Sequence, residues 1–147
     1  MGVADGGLRA EVQRWLRKPD WMWTPIETGG THSGVPDSYW THPASRTSGW
    51  VEHKATDGWA VEVRPHQAGW IGRHVRAGVR VHIAVRARGV GSSGGAGDSL
   101  WLIRGSAVSE LQELGLERLP SWAVLGVWRG PPREWAWAEI AAELTRS

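Results

Sequence analysis

The most constraining segment of this chain is VRVHIAVR, from Val79 to Arg86, in which large apolar residues occupy every second position and all the residues between them except Ala84 are polar. Successive side chains of a β-strand point to opposite faces, so this pattern predicts a strand. One face would carry the valines and Ile83, and the other Arg80, His82 and Arg86. The preceding residues have helical periodicity, with Pro65 at the first helical position and an end near Gly78. A strand that directly follows a helix predicts an α/β fold.

The remaining pattern gives further alternating elements in a mixed sheet flanked by helices. Predicted helices are Leu8–Arg17, Ala107–Leu114 and one that starts around Pro132 and buries Trp135, Ala138 and Leu144. Predicted strands are Trp21–Thr28, Val35–Trp40, Trp50–Ala55, Leu100–Arg104 and Trp122–Trp128.

The length of 147 residues is typical of a single domain. We expect a core from about residue 8 to 88, a Gly-rich loop over residues 89–99 and a Trp-rich C-terminal extension over residues 100–147. The pattern leaves open whether that extension completes the core, forms a dimer interface or grips DNA.

Composition excludes several classes of protein. The chain is 41% hydrophobic and 22% charged, as expected of a globular protein, and it has no long apolar run. We therefore expect no membrane partner, and without an N-terminal signal peptide we expect a cytoplasmic protein. The absence of cysteine excludes disulfides and thiolate metal sites. The six histidines have none of the spacings typical of zinc sites.

Candidate chemistry lies in GVPDSYWTHPASRTSGWVEHKA, from Gly34 to Ala55. The period of two places Glu52 and Lys54 on one strand face, with the side chain of His53 on the other. Asp37 lies on the preceding strand of a predicted hairpin, where it can approach Glu52 across the strands.

Phosphodiester hydrolysis can be built from these groups. Mg²⁺ or Mn²⁺ takes oxygen ligands, which Asp37, Glu52 and the backbone carbonyl of His53 can supply. Lys54 could orient or deprotonate the attacking water. The alternative is that a Pro-Asp turn and a Glu-x-Lys pair are ordinary surface features.

The combination resembles the PD-(D/E)XK nuclease superfamily, and more narrowly the small stand-alone VRR-NUC nucleases of viral or bacterial type. The resemblance covers about Ile26 to Arg86. It includes the GVPD lead-in, the Gln67 of RPHQAGWI and the strand AGVRVHIAVR. It implies a restriction-endonuclease-like fold, a supporting catalytic role for Gln67 and a further, weaker metal ligand at Glu27.

The resemblance also implies a divalent-metal-dependent DNA endonuclease, with a branched substrate such as a Holliday junction or flap. Symmetric junction cleavage would require a homodimer, and no small-molecule cofactor is expected. Alternatives are a general nicking or end-processing nuclease and a catalytically silent DNA-binding module. A third alternative is a purely structural protein, in which the charges on the hairpin have no function.

Arginines of the second helix and the strand after it are candidate DNA-binding residues. They are Arg64, Arg73, Arg76 and Arg80, which could contact backbone phosphates. A solvated helix face explains them equally well. Trp40 and Trp59 could stack on a splayed base, although most tryptophans of a globular protein belong to its core.

Overall fold

The computed structural model describes residues 5–26, 34–89 and 97–146. They form an α/β structure with one open, six-stranded mixed sheet, whose strands lie in chain order. The strands are β1 (Met22–Pro25), β2 (Ser38–His42), β3 (Thr47–Thr56), β4 (Val81–Gly89), β5 (Gly97–Arg104) and β6 (Val124–Arg129). The α-helices are α1 (Leu8–Trp15), α2 (Pro65–Arg76), α3 (Val108–Leu114) and α4 (Trp137–Thr145).

The centre of the sheet is a parallel pair, β3 and β4, joined by α2. All other neighbouring strands are antiparallel. Parallel neighbours need a crossover connection, and here Pro65 begins the helix that provides it. The sequence pattern predicted this strand, helix and strand in the correct order.

Helices cover both faces of the sheet. One core joins α2 and α3 to side chains such as Ile83 and Ile103, whereas the other joins α1 and α4 to Ala84 and Leu102. The two cores explain why β4 is buried on both faces from Val81 to Val85, although its pattern predicted one polar face. The buried residues of that second face are His82 and Ala84.

The C-terminal residues complete this core instead of extending it. Strand β5 pairs with β4 along its whole length, and Gly97–Ser99, predicted as loop, belong to β5. The last helix begins later than predicted, because Pro132–Glu134 form a 3₁₀ turn ahead of α4. Its buried residues include Ile140, whereas Ala138, predicted to be buried, is exposed.

Other boundaries shift by a few residues. Strand β2 begins at Ser38, three residues after its predicted start, and β3 is longer than predicted at both ends. The predicted strand Trp21–Thr28 is observed as Met22–Pro25, and its last two residues lie outside the described part of the chain. No helix in the three described segments is long and apolar enough to cross a bilayer.

Gly34 fixes the approach of the segment before β2 to the first turn of α2. Its φ is 77°, and a Cβ there would lie 2.1 Å from the carbonyl oxygen of His66. We expect Gly34→Ala to lower the free energy of unfolding by more than the ~1–2 kcal/mol of left-handed strain alone, because backbone must also move. Urea denaturation measures this difference.

Gly78→Ala is the matched control. Gly78 has a φ of 91°, and no atom lies within 4 Å of the point that a Cβ would occupy, so this variant carries the strain without the clash. Equal losses of stability in the two variants would contradict the proposed packing of Gly34.

Candidate active site

Antiparallel pairing of β2 with β3 brings two carboxylates together. Ser38 lies opposite Val51, so the preceding residue, Asp37, lies beside Glu52. The backbone N–H of Asp37 donates a hydrogen bond to Glu52 Oε1 at 3.1 Å. The cross-strand approach predicted from the sequence is therefore present.

His53 holds the carboxylate of Asp37 at two points. Its backbone N–H lies 2.9 Å from Asp37 Oδ2, and its ring Nδ1 lies 2.6 Å from Asp37 Oδ1. The hydroxyl of Ser38 donates to Oδ1 at 2.9 Å. Burial raises the pKa of Asp37, but the hydrogen bonds and charge of His53, together with Ser38, outweigh it and leave that pKa below its usual value. An ionised Asp37 accepts, so Nδ1 carries the proton.

The contact between the His53 ring and Asp37 differs from the sequence-based expectation. Alternation does direct His53 away from Glu52, because their partners on β4, Ala84 and Ile83, belong to different cores. Asp37, however, lies just before the first residue of β2, and from there its carboxylate contacts the His53 ring. The buried Nε2 of His53 has no hydrogen-bond partner within the described residues.

Glu52 has a buried carboxyl group with the charges of Asp37 and Lys54 close to it. Burial raises its pKa to about 7, and the negative charge of Asp37 adds to this shift. The cation of Lys54 and the N–H of Asp37 partly oppose it. A second positive charge beside the Glu52 carboxyl would favour its ionised form.

Lys54 and Gln67 complete the cluster beside Glu52. The ammonium of Lys54 donates to Gln67 Oε1 at 2.8 Å and lies 3.7 Å from Glu52 Oε2. Gln67 Nε2 donates to Glu52 Oε2 at 3.3 Å, and its Oε1 also accepts from the backbone N–H of Arg64 at 3.0 Å. The first turn of α2 thus places Gln67 against β3.

These residues line an open pocket of about 510 Å³. Among the described residues, its charged side chains are four carboxylates and three cations: Asp5, Asp37, Glu52 and Glu62, and Arg9, Lys54 and Arg64. Four negative and three positive charges give a formal balance of −1. The pocket therefore favours a cation over a phosphate until its carboxylates are neutralised.

Sequence reasoning missed the contribution of α1 to this pocket. Asp5 accepts hydrogen bonds from the backbone N–H groups of Gly7 and Arg9, at 2.9 and 3.1 Å. An Asp ahead of a helix is a recognisable capping signal. Nothing in the sequence, however, indicates that the start of α1 lies beside β3.

The donor set is compatible with a hard divalent cation. Across residues 5–26, 34–89 and 97–146, no three His, Asp or Glu side chains converge on one point. Mg²⁺ commonly uses one or two carboxylates with backbone oxygens and waters, so Asp37 and Glu52 meet its minimum requirement. Glu27, the weaker candidate ligand, lies outside the described residues.

The four candidate DNA-binding arginines do not form one cluster. Arg64 lines the pocket, whereas Arg73 and Arg76 are exposed on α2. Arg80 lines a different pocket, near the C-terminus of α4.

Neither tryptophan considered for base stacking has a freely exposed ring. The side chain of Trp40 is fully buried in the core beside α1 and α4. Trp59 is half-buried and packs against the core beside α2 and α3. Stacking of Trp40 on a base is therefore incompatible with this structure.

Comparison with known proteins found no matching family model, no matching curated protein and no matching solved structure. The functional argument therefore depends on the sequence motif and on the geometry of the pocket.

We expect Glu52→Gln to remove a pH-dependent destabilisation of the metal-free protein. The folded protein holds the Glu52 proton more tightly than the unfolded chain does, so stability falls as pH rises from 4.5 through about 7. The stability of the variant relative to wild type should increase by on the order of 3 kcal/mol between these limits. Urea denaturation in EDTA, at pH 4.5 and pH 8, measures the change.

Glu62→Gln is the control, because the Glu62 side chain is 79% exposed. The pH-dependent gain in stability of Glu52→Gln should exceed that of Glu62→Gln. A gain for Glu52→Gln no larger than that of Glu62→Gln would show that burial does not perturb Glu52.

Proposed function

We propose that this protein is a divalent-metal-dependent endonuclease that hydrolyses phosphodiester bonds in DNA. The observation that carries the proposal is the convergence of Asp37, Glu52, Lys54 and Gln67 on one pocket. The sequence motif alone identifies the same four residues. In a chance pair of surface charges, we would not expect Glu52 to be buried or the side-chain amide of Gln67, on α2, to contact it.

The first role is cation binding. Asp37 and Glu52, with the backbone carbonyl of His53, would hold Mg²⁺ or Mn²⁺. When bound, the ion would supply a water of lowered pKa and neutralise charge on the phosphate oxygens. The ring of His53 keeps Asp37 ionised and oriented by its hydrogen bond to Oδ1.

The second role is placement of the nucleophile. Lys54 is held by Gln67 at 2.8 Å and stays near Glu52, so its N–H donors have a fixed direction. From there Lys54 can orient the attacking water and stabilise negative charge that develops on the phosphate. Gln67 supports both Lys54 and Glu52 from the rigid first turn of α2.

The substrate is DNA, and we propose a branched form such as a four-way junction or flap, bound by a homodimer. The preference for branched DNA comes from the resemblance of the motif to VRR-NUC nucleases. Arg9 and Arg64 are exposed and line the pocket, where they can contact backbone phosphates next to the reacting one. A general nicking or end-processing nuclease would use the same residues without the junction preference.

One observation favours a second candidate function, a DNA-binding module without catalysis. The carboxylate of Asp37 already accepts three hydrogen bonds, two from His53 and one from Ser38. A carboxylate satisfied within the protein has less to gain from binding a metal ion. The two candidates differ in whether cleavage depends on metal and on Asp37.

We expect Asp37→Asn to abolish cleavage while DNA binding persists. Outer-shell partners of a metal typically account for about 10–100-fold in activity, so loss of a ligand should exceed that range. Wild type and variant would be compared on a labelled four-way junction, a flap and plain duplex, each with Mg²⁺, Mn²⁺ or EDTA. Asparagine preserves an acceptor for His53, which limits the structural disturbance.

Asp57→Asn removes an exposed carboxylate that does not line the pocket, and it should cut like wild type. Cleavage by Asp37→Asn at the wild-type rate would exclude the proposed metal site. Tight binding of all three substrates without cutting, by wild type with either metal, would favour the binding module.

We expect Lys54→Met to lower the single-turnover cleavage rate by about 100-fold or more, the range typical of a positioned catalytic group. Its affinity for Mn²⁺ should change little at pH 8.5, which lies above the Glu52 pKa of about 7 in the wild type. Calorimetry gives the affinity, and quenched-flow cleavage gives the rate. A variant that cuts normally, or that loses Mn²⁺ binding, would contradict the proposed role of Lys54.

A further inference from the structure

A second pocket, of about 220 Å³, lies near the ends of strands β4 and β5 and helix α4. Its lining includes Arg80, which precedes β4, Arg104, which ends β5, and Arg146, which follows α4. None of its lining residues belongs to the pocket around Glu52. The two pockets are therefore separate sites.

The charge of this second pocket is predominantly positive. Among the described residues, three arginines face one carboxylate, Glu143, which gives a formal balance of +2. Arg146 lies 3.2 Å from Glu143, so this pair neutralises itself in part and leaves Arg80 and Arg104 without a carboxylate partner within the described residues. A concave surface with unneutralised guanidinium groups favours an anion.

Structural roles account for only part of this arginine set. Arg80 Nη1 donates to the carbonyl of Leu144 at 3.1 Å and to that of Arg146, so it caps the end of α4. Arg104 Nε donates to the carbonyl of Trp122 at 2.8 Å. A guanidinium has five N–H donors, and these contacts use one nitrogen of each group. Within the described residues, the other donors have no hydrogen-bond partner and can contact a ligand.

His82 is a buried polar residue that also lines this pocket. Its side chain is 7% exposed, and its Nδ1 has no hydrogen-bond partner within the described residues. Burial lowers its pKa to about 4, and the charges of Arg80 and Arg104 add to the shift. The ring is therefore neutral near pH 7. In that state one ring nitrogen can donate a hydrogen bond to an anion.

We propose that this pocket binds a phosphate group through Arg80, Arg104 and Arg146, with the ring of His82 as a further donor. Guanidinium groups match the geometry of phosphate oxygens, which they contact with two N–H donors at once. The volume fits a phosphate or phosphomonoester, whereas sites for larger ligands commonly occupy about 300–1,000 Å³. The group comes either from a small phosphorylated compound or from a DNA backbone.

This inference does not require the nuclease function, because phosphate binding can be measured without any cleavage. Inorganic phosphate would be titrated into ¹⁵N-labelled protein. We expect saturable shifts of the amides of His82, Gly105 and Ser106, which surround the pocket. Arg104→Gln should weaken the phosphate affinity by about 10-fold or more, as expected for loss of a charge-assisted contact.

Arg133→Gln is the matched control, since Arg133 is exposed on the 3₁₀ turn before α4 and does not line the pocket. It should bind phosphate like wild type. His82→Leu tests the ring separately: it keeps an apolar side chain in the core and should also weaken phosphate binding. Urea denaturation of each variant confirms that it folds.

A second experiment distinguishes the two sources of the phosphate group, a small phosphorylated compound and a DNA backbone. In EDTA, binding of a short duplex is compared between wild type and Arg104→Gln. Parallel weakening of phosphate and duplex identifies the DNA backbone as the source, whereas weakening of phosphate alone identifies a small phosphorylated compound. Non-saturating shifts, shifts centred on Lys54 or an unchanged affinity of Arg104→Gln would overturn the proposal.

Discussion

The parallel pairing of β3 with β4 is the interaction on which the rest of this structure depends. It runs from Trp50 opposite Val81 to Thr56 opposite Ala87, and it requires a connection that crosses one face of the sheet. Helix α2 provides that connection, and its first turn therefore lies beside the second half of β3. A hairpin between the same strands would have left Glu52 and Lys54 without the amide of Gln67.

Three of the five buried polar or charged residues in the described part of the chain line one of the two pockets; the other two are Ser38 and Ser99. Glu52 and His53 line the first pocket, and His82 lines the second. A buried polar group that lacks a full set of partners destabilises a fold by about 1–3 kcal/mol. Such costs are commonly retained at functional sites, because a preorganised charge or donor can act there on a ligand. Hydrogen bonds from His53 to Asp37 offset part of this cost.

Much of the fold and of the first pocket could be predicted from short-range patterns. Alternation identified β3 and β4, proline placed the start of α2, and the Pro-Asp and Glu-x-Lys pairs selected residues that do meet in space. The sequence did not predict contacts between segments that are distant along the chain. The place of Asp5 beside the pocket, the contact of the His53 ring with Asp37 and the capping of α4 by Arg80 all depend on tertiary packing. Local periodicity contains no information about such contacts.

The sequence by itself determined the α/β order of the central elements and the placement of Glu52 and Lys54 on one strand face with Asp37 at the start of the neighbouring strand, because strand alternation and helix boundaries are local properties of the chain. Only the tertiary structure decided that residues 97–146 complete the sheet and its two cores. It alone also decided that β4 is buried on both faces. The physical reason is that burial depends on which helices cover each face, and α1 and α4 come from opposite ends of the chain.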